Sequence, residues 1–307
     1  IGTTKTPGFK SDHTLSFTAT GQILKNGGQA VLVLPAASAL TPATAAATWT
    51  MDTPAITFTA PANTFVLGGS SGYATTTLTV TMDSTPGTAV SIDAGTAVTI
   101  KATNVRTPSS VVAATTLAGL TTKDASGATV DAQANVATDQ IAKATLAANT
   151  FTGATNTPGF ASTHTLSFTT NGEIPVGGKI VLTLPDTGNF AAPAPALTYS
   201  MPAAPTVDTL VGGFALATGA GNVPAFATRV LTVKTLTTAV AQAVTAGFDV
   251  LLVKTPSSPV AALTNVNLET NDGVGIIADA GATTLTAVAK ATLAANTFTG
   301  ATNTPGF

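Results

Sequence analysis

The chain is 307 residues long with a formal net charge of −2, and only 8% of its residues are charged, against roughly 25% in an ordinary soluble domain. Such a chain has no basic field to draw a nucleic acid and no charge to hold it on an anionic membrane surface. Mean hydropathy is positive, yet Thr, Gly, Asn or Pro interrupts every apolar run before the ~18 residues a spanning helix needs.

Period-two alternation runs through the chain. His13 to Thr18, Gln29 to Leu34, Thr75 to Met82 and Ala97 to Ala102 predict half-buried strands. Turn chemistry separates them at Asn26-Gly27-Gly28, Gly68 to Gly72, Pro86-Gly87 and Asp93-Ala94-Gly95. Ala36 to Ala47 has helical propensity, but Pro35 and Pro42 argue for a loop. Ile141 to Thr152 alternates again and predicts the last strand of a first unit, running into the turn Thr157-Pro158-Gly159-Phe160. The series then restarts at His164 to Thr169, Lys179 to Leu184, Thr228 to Lys234 and Phe248 to Lys254. Ala239 to Ala246 predicts at most one helical turn, and Leu285 to Thr299 repeats the alternation of the linker. Thr and Ala, about two-fifths of the residues, favour strand wherever Thr is frequent.

The second series is a copy of the first. Thr6-Pro7-Gly8-Phe9 matches Thr157 to Phe160, His13 to Thr18 matches His164 to Thr169, and Gly21 to Pro35 aligns with Gly172 to Pro185 after one deletion. Trp49 and Met51 fall on Tyr199 and Met201, and Thr107 to Ser110 falls on Thr255 to Ser258. A period of about 150 residues is a whole domain, too long for a solenoid or propeller repeat. The expected fold is therefore all-β: two tandem immunoglobulin-like antiparallel β-sandwich domains, residues 1–150 and 151–297. No Gly/Ser spacer separates the units, so the joint should be stiff.

The last eighteen residues, 290–307, are letter for letter residues 143–160. A strand that duplicates the interdomain linker at the far end suggests a segment that enters another subunit, or the start of a third repeat. The residues expected to make that contact are Lys290, Leu293, Phe298, Pro305-Gly306 and Phe307. Their counterparts between the units are Lys143, Leu146, Phe151, Pro158 and Phe160.

Chemistry-bearing residues are sparse. His13 and His164 share one repeat position, and without Cys or further His no metal set forms around them. Ser16 and Ser167 lie within strands and lack the sharp elbow of a catalytic serine. Asp124, Asp131 and Asp139, or Glu269, Asn271 and Asp272, are candidates for a stiffening Ca²⁺, though neither set has EF-hand spacing. The acidic residues do not recur between repeats, as a glycosidase pair in each unit would. Lys101, Lys234 and Lys254 would need Asn or Asp neighbours to form isopeptide cross-links; solvent-facing lysines that discourage edge pairing are the simpler reading. One Trp and two Tyr (Trp49, Tyr73, Tyr199) offer little for a sugar site. There is no Asn-x-Ser/Thr sequon, while Thr41 to Thr53 could carry O-glycans. No cofactor and no enzymatic activity are expected.

The stretch Thr157 to Pro185 resembles the opening of repeats in very large tandem-repeat surface proteins of microorganisms. That resemblance implies immunoglobulin-like sandwiches in extracellular fibres, adhesins or appendages, and it brings no catalytic residue with it. The expected function is a structural protomer of an extracellular, cell-surface filament. Its partner is another copy of itself, joined head to tail through the C-terminal strand or as a covalent array. The alternative is an adhesin or carbohydrate-binding module.

Overall fold

The structure, a computed structural model, describes residues 2, 4–36, 40, 49–51, 56–59, 72–74, 76–82, 91–185, 198–213, 215–216, 224–234, 238–272 and 274–293. Among these residues every regular element is a strand, so the chain is all-β. In the N-terminal half, β1 (Lys10–Thr18), β3 (Thr50–Met51) and β4 (Ile56–Thr59) all pair with β7 (Ala97–Arg106). A second sheet runs β5 (Gly72–Ala74), β6 (Thr77–Thr81), β2 (Gln29–Val33), β8 (Thr115–Lys123), β9 (Thr129–Thr138). Side chains from the two sheets meet in one core: Val98, Ile100 and Ala102 of β7 share a cluster with Ala30 of β2 and Leu78 and Val80 of β6. Trp49 is buried there too.

The C-terminal half holds β10 (Ala144–Thr145), β11 (Ala147–Gly153), β12 (Ala161–Thr169), β13 (Lys179–Thr183), β14 (Val207–Val211), β15 (Ala225–Ala227), β16 (Val230–Lys234), β17 (Thr245–Lys254), β18 (Leu263–Asn271) and β19 (Ile277–Leu285). They form one path, β14-β17-β12-β11-β19-β18-β13-β16-β15, with β10 also on β19. Alternation shows in the burial: Ile180 and Leu182 are buried while Lys179, Val181 and Thr183 are half-buried. Tyr199 joins this core as Trp49 joins the other, so the aligned aromatic pair is a repeated core position.

The recurring Thr-Pro-Gly-Phe and Thr-Pro-Ser-Ser strings prove to be one contact. Pro at the second place and a glycine at positive φ (Gly8 at 63°, Gly159 at 69°) give a tight turn. The buried hydroxyl of Thr107 accepts from Phe9 N (3.0 Å) and donates to Thr6 O (2.5 Å). Thr255 repeats both bonds, accepting from Phe160 N (3.1 Å) and donating to Thr157 O (2.5 Å).

Two expectations need correction. Ile141 to Thr152 is not the last strand of the first unit. Ile141 makes one bridge to Val112, and the chain from Ala144 onward pairs with strands of the C-terminal half. Alternation is the same whichever sheet a strand joins, so it could not reveal the partner. Ala239 to Ala246 forms no helical turn: Val240 bridges Ile174 and β17 begins at Thr245. Strand pairing there outweighs the helical propensity of alanine. The second linker-like stretch is strand to Leu285, with one further bridge at Val288. Phe298, Pro305, Gly306 and Phe307 lie outside the described residues.

Candidate assembly site

β11 is the link in the sheet path of the C-terminal half between β12 and β19. It runs antiparallel to β12, with Phe151 opposite Leu166 and Thr150 opposite Ser167, and parallel to β19, with Phe151 beside Leu285. Just before it, β10 lies parallel to the start of β19, and Leu146 N donates to Ala280 O at 3.1 Å. The change of partner takes place at a bulge, where Ala148 has φ 52° and Asn149 donates to Leu146 O (3.2 Å) and Ala282 O (3.1 Å). A buried carboxamide bonded to two carbonyls fixes a bulge that would otherwise leave acceptors bare.

Leu146 and Phe151 are the apolar anchors of this segment, 3% and 1% exposed. Each stabilises by about 1.5–3 kcal/mol through burial. The Phe151 ring lies 5.1 Å from that of His164, which in turn meets Tyr199 edge-on at 6.1 Å. Burial holds the His164 imidazole below its ordinary pKa, so it packs as a neutral ring. A Cβ on Gly153 would lie 2.6 Å from His164 Nε2, so only glycine lets the backbone pass over the ring. The same pair recurs as Gly2 over His13, bridged in the same way, with burial pushing His13 down to about 4. The two repeated histidines are thus packing residues at the mouth of the strand slot.

In the N-terminal half that slot is lined but not filled by any described strand. β1 pairs with β7, and β9 pairs with β8. Between them lies a cavity of about 80 Å³ lined by His13, Leu15, Trp49, Val136, Thr138 and Ile141, among others. Its effect shows in the burial: His13, Leu15 and Phe17 are half-buried, whereas their counterparts His164, Leu166 and Phe168 are 1%, 0% and 0% exposed. β9 has no buried residue, but β19 buries Ala278, Asp279, Thr283 and Leu285.

The halves meet end to end. Thr6 Oγ1 donates to Asn171 at 2.8 Å, Glu173 N to Gly8 O at 3.1 Å and Lys10 N to Gln242 Oε1 at 2.6 Å. Ser110 donates to Asp272, and Arg106 forms an ion pair with Glu173. Near this joint, burial pushes the Asp279 carboxyl up to about 6 despite a bond from Thr270. The chain leaves the N-terminal half beside Lys5, whose carbonyl accepts from Ala142 N at 2.9 Å. It leaves the C-terminal half in the same way, Ala289 N donating to Asn156 O at 2.9 Å. Beyond that bond Lys290 is exposed and Leu293 is 79% exposed; Phe160, on the turn at this end, is 52% exposed. The sequence-derived contact residues thus divide: Leu146 and Phe151 enter the C-terminal sheet system, Lys143 is exposed just before it, and Pro158 and Phe160 lie at the turn beyond it.

Of the carboxylates considered for calcium, Asp124, Asp131 and Asp139 each take separate partners. Asp124 accepts from Ser126 and Ala128, Asp131 from Thr20 and Gly21, and Asp139 pairs with Lys5. Among the described residues no three His, Cys, Asp or Glu side chains could hold a metal together. Lys101 pairs with Asp12 at 2.6 Å in partial exposure, an ion pair at the surface. Among the described residues no helix is long and apolar enough to cross a membrane.

No family model matches the chain, and no curated protein matches it. Among solved structures it is similar to the N-terminal domain of the Streptococcus gordonii adhesin Sgo0707, at 10% identity and a TM-score of 0.26. That match covers 90% of this chain and 61% of the other, so the chain spans under two-thirds of it. A putative membrane-anchored protein from Corynebacterium diphtheriae is similar at 10% identity and a TM-score of 0.20, over 91% and 89% of the two chains. Likeness at that level defines neither fold nor function for this chain.

Proposed function

We propose that the chain is a structural protomer of an extracellular filament, joined head to tail through residues 290–307. One observation carries this reading. The chain leaves its C-terminal half through the Ala289–Asn156 bond just as it leaves its N-terminal half through Ala142–Lys5, and the same eighteen-residue string comes next in both places. A contact of that kind joins unlike surfaces and propagates unless a rotation closes it into a ring. The sugar-binding alternative loses two of its aromatics, because Trp49 and Tyr199 are both core residues.

The test is electron microscopy and a denaturing gel of the full chain beside a chain ending at Ala289. The expected outcome is fibres from the full chain that dissolve to 30.1 kDa monomers, and none from the shorter chain. Monomers from both would sink the proposal.

A further inference from the structure

We propose that the cleft between β1 and β9 is a strand-acceptor site, and that its occupant is Lys290–Thr299 of a second copy of the chain. The inference rests on the head-to-tail reading and specifies the receiving surface and the register. The C-terminal half shows the slot filled by Lys143–Thr152, a segment identical to Lys290–Thr299. The N-terminal half shows the corresponding walls, β1 and β9, with the residues covered by β11 in one half only half-buried in the other. An occupant with this sequence brings a leucine and a phenylalanine at the spacing of Leu146 and Phe151. It also offers main-chain donors and acceptors to the edges of β1 and β9.

Carrying the register across gives specific neighbours. Phe151 faces Leu166 and Thr150 faces Ser167, so Phe298 comes to face Leu15 and Thr297 to face Ser16. On the other edge, Phe151 beside Leu285 becomes Phe298 beside Thr138. Gly2 of the receiver already holds the place of Gly153 against histidine. In-register insertion therefore ends at Thr299, and Gly300 to Phe307 repeats the stretch that the receiver supplies as its own Gly2 to Phe9. One wall differs. Gln133 stands where Gly281 makes room for the Asn149 carboxamide, and β9 has an extra residue before Val136. Leu293 and Phe298, rather than Asn296, are thus the residues that fix the strand.

The absence of cysteine makes the register directly measurable. Directly opposed strand residues have Cα atoms about 4.5–5.5 Å apart, within disulfide range. The double variant Ser16→Cys/Thr297→Cys, oxidised and run on a non-reducing denaturing gel, should give a ladder in 30.1 kDa steps. The off-register pair Thr18→Cys/Thr297→Cys should stay monomeric. Adding Phe298→Ala to the in-register pair should lower ladder yield on the order of tenfold. Fibres by microscopy without the in-register ladder would overturn the acceptor site and leave the filament reading standing. Neither fibres nor ladder would end both. A fast-migrating disulfide-closed monomer would place the tail in its own chain, and the second-copy assignment would fall.

Discussion

Phe151 does for the C-terminal core what no described residue does for the N-terminal one. Its ring lies against His164 and its backbone joins β12 to β19. Phe151→Ala should therefore destabilise the chain by about 3–5 kcal/mol, measured as a shift of the denaturation midpoint. Asp279 works in the opposite direction. Its carboxyl is raised from 3.8 to about 6 by burial, so the folded protein binds this proton more tightly than the unfolded chain does. The resulting stability is fully present below pH 3.8 and is lost as pH rises through about 6. Asp279→Asn should accordingly stabilise the protein at pH 7 by about 2–3 kcal/mol and have little effect at about pH 3.5. Urea titrations at the two pH values check this, and equal effects at both would refute it.

At the scale of elements, the two Thr-Pro-Gly-Phe turns are the same structure in different company. A Cβ on Gly8 would sit 2.7 Å from the carbonyl of Glu173, whereas one on Gly159 would meet only Ser257 at 3.9 Å. Both glycines are at positive φ, so alanine at either costs about 1–2 kcal/mol in backbone conformation. Gly8→Ala must also push the halves apart. It should raise the rate of proteolytic cleavage between residues 139 and 143, while Gly159→Ala should leave that rate unchanged. The same division governs how far the elements could be read from sequence. Strands such as Lys179–Thr183 and the Phe248 to Lys254 part of β17 were legible because one face is buried and alternation records it, whereas the start of β17 at Thr245 was not. The recurrence of Thr-Pro-Gly-Phe and Thr-Pro-Ser-Ser was equally plain. That Thr107 and Thr255 hold those turns shut was not, because about a hundred residues separate the partners.

For the whole molecule, the joint between the halves predicts the joint between protomers. Arg106 and Glu173 form an ion pair within the chain, but their counterparts in the alignment are Lys254 and Gln22. Ser110 and Asp272 have counterparts that keep their chemistry, Ser258 and Asp124. Under the filament proposal, the joint between copies would therefore lack the ion pair and depend more on its inserted strand. Under the filament proposal, Gly159→Ala should reduce fibre growth by more than its backbone cost of about 1–2 kcal/mol to the monomer accounts for, because this turn docks only on assembly. Turbidity and microscopy read that outcome.

By itself the sequence determined the strand series, the repeat and the identity of linker and tail, since alternation, turn residues and internal copies are properties of the string. Which half receives the linker, and that the matching slot in the other half has no described strand in it, were decided by tertiary structure alone. A strand's pairing partner is chosen by edge geometry and by the volume left in a distant core, and neither quantity is written in the local pattern.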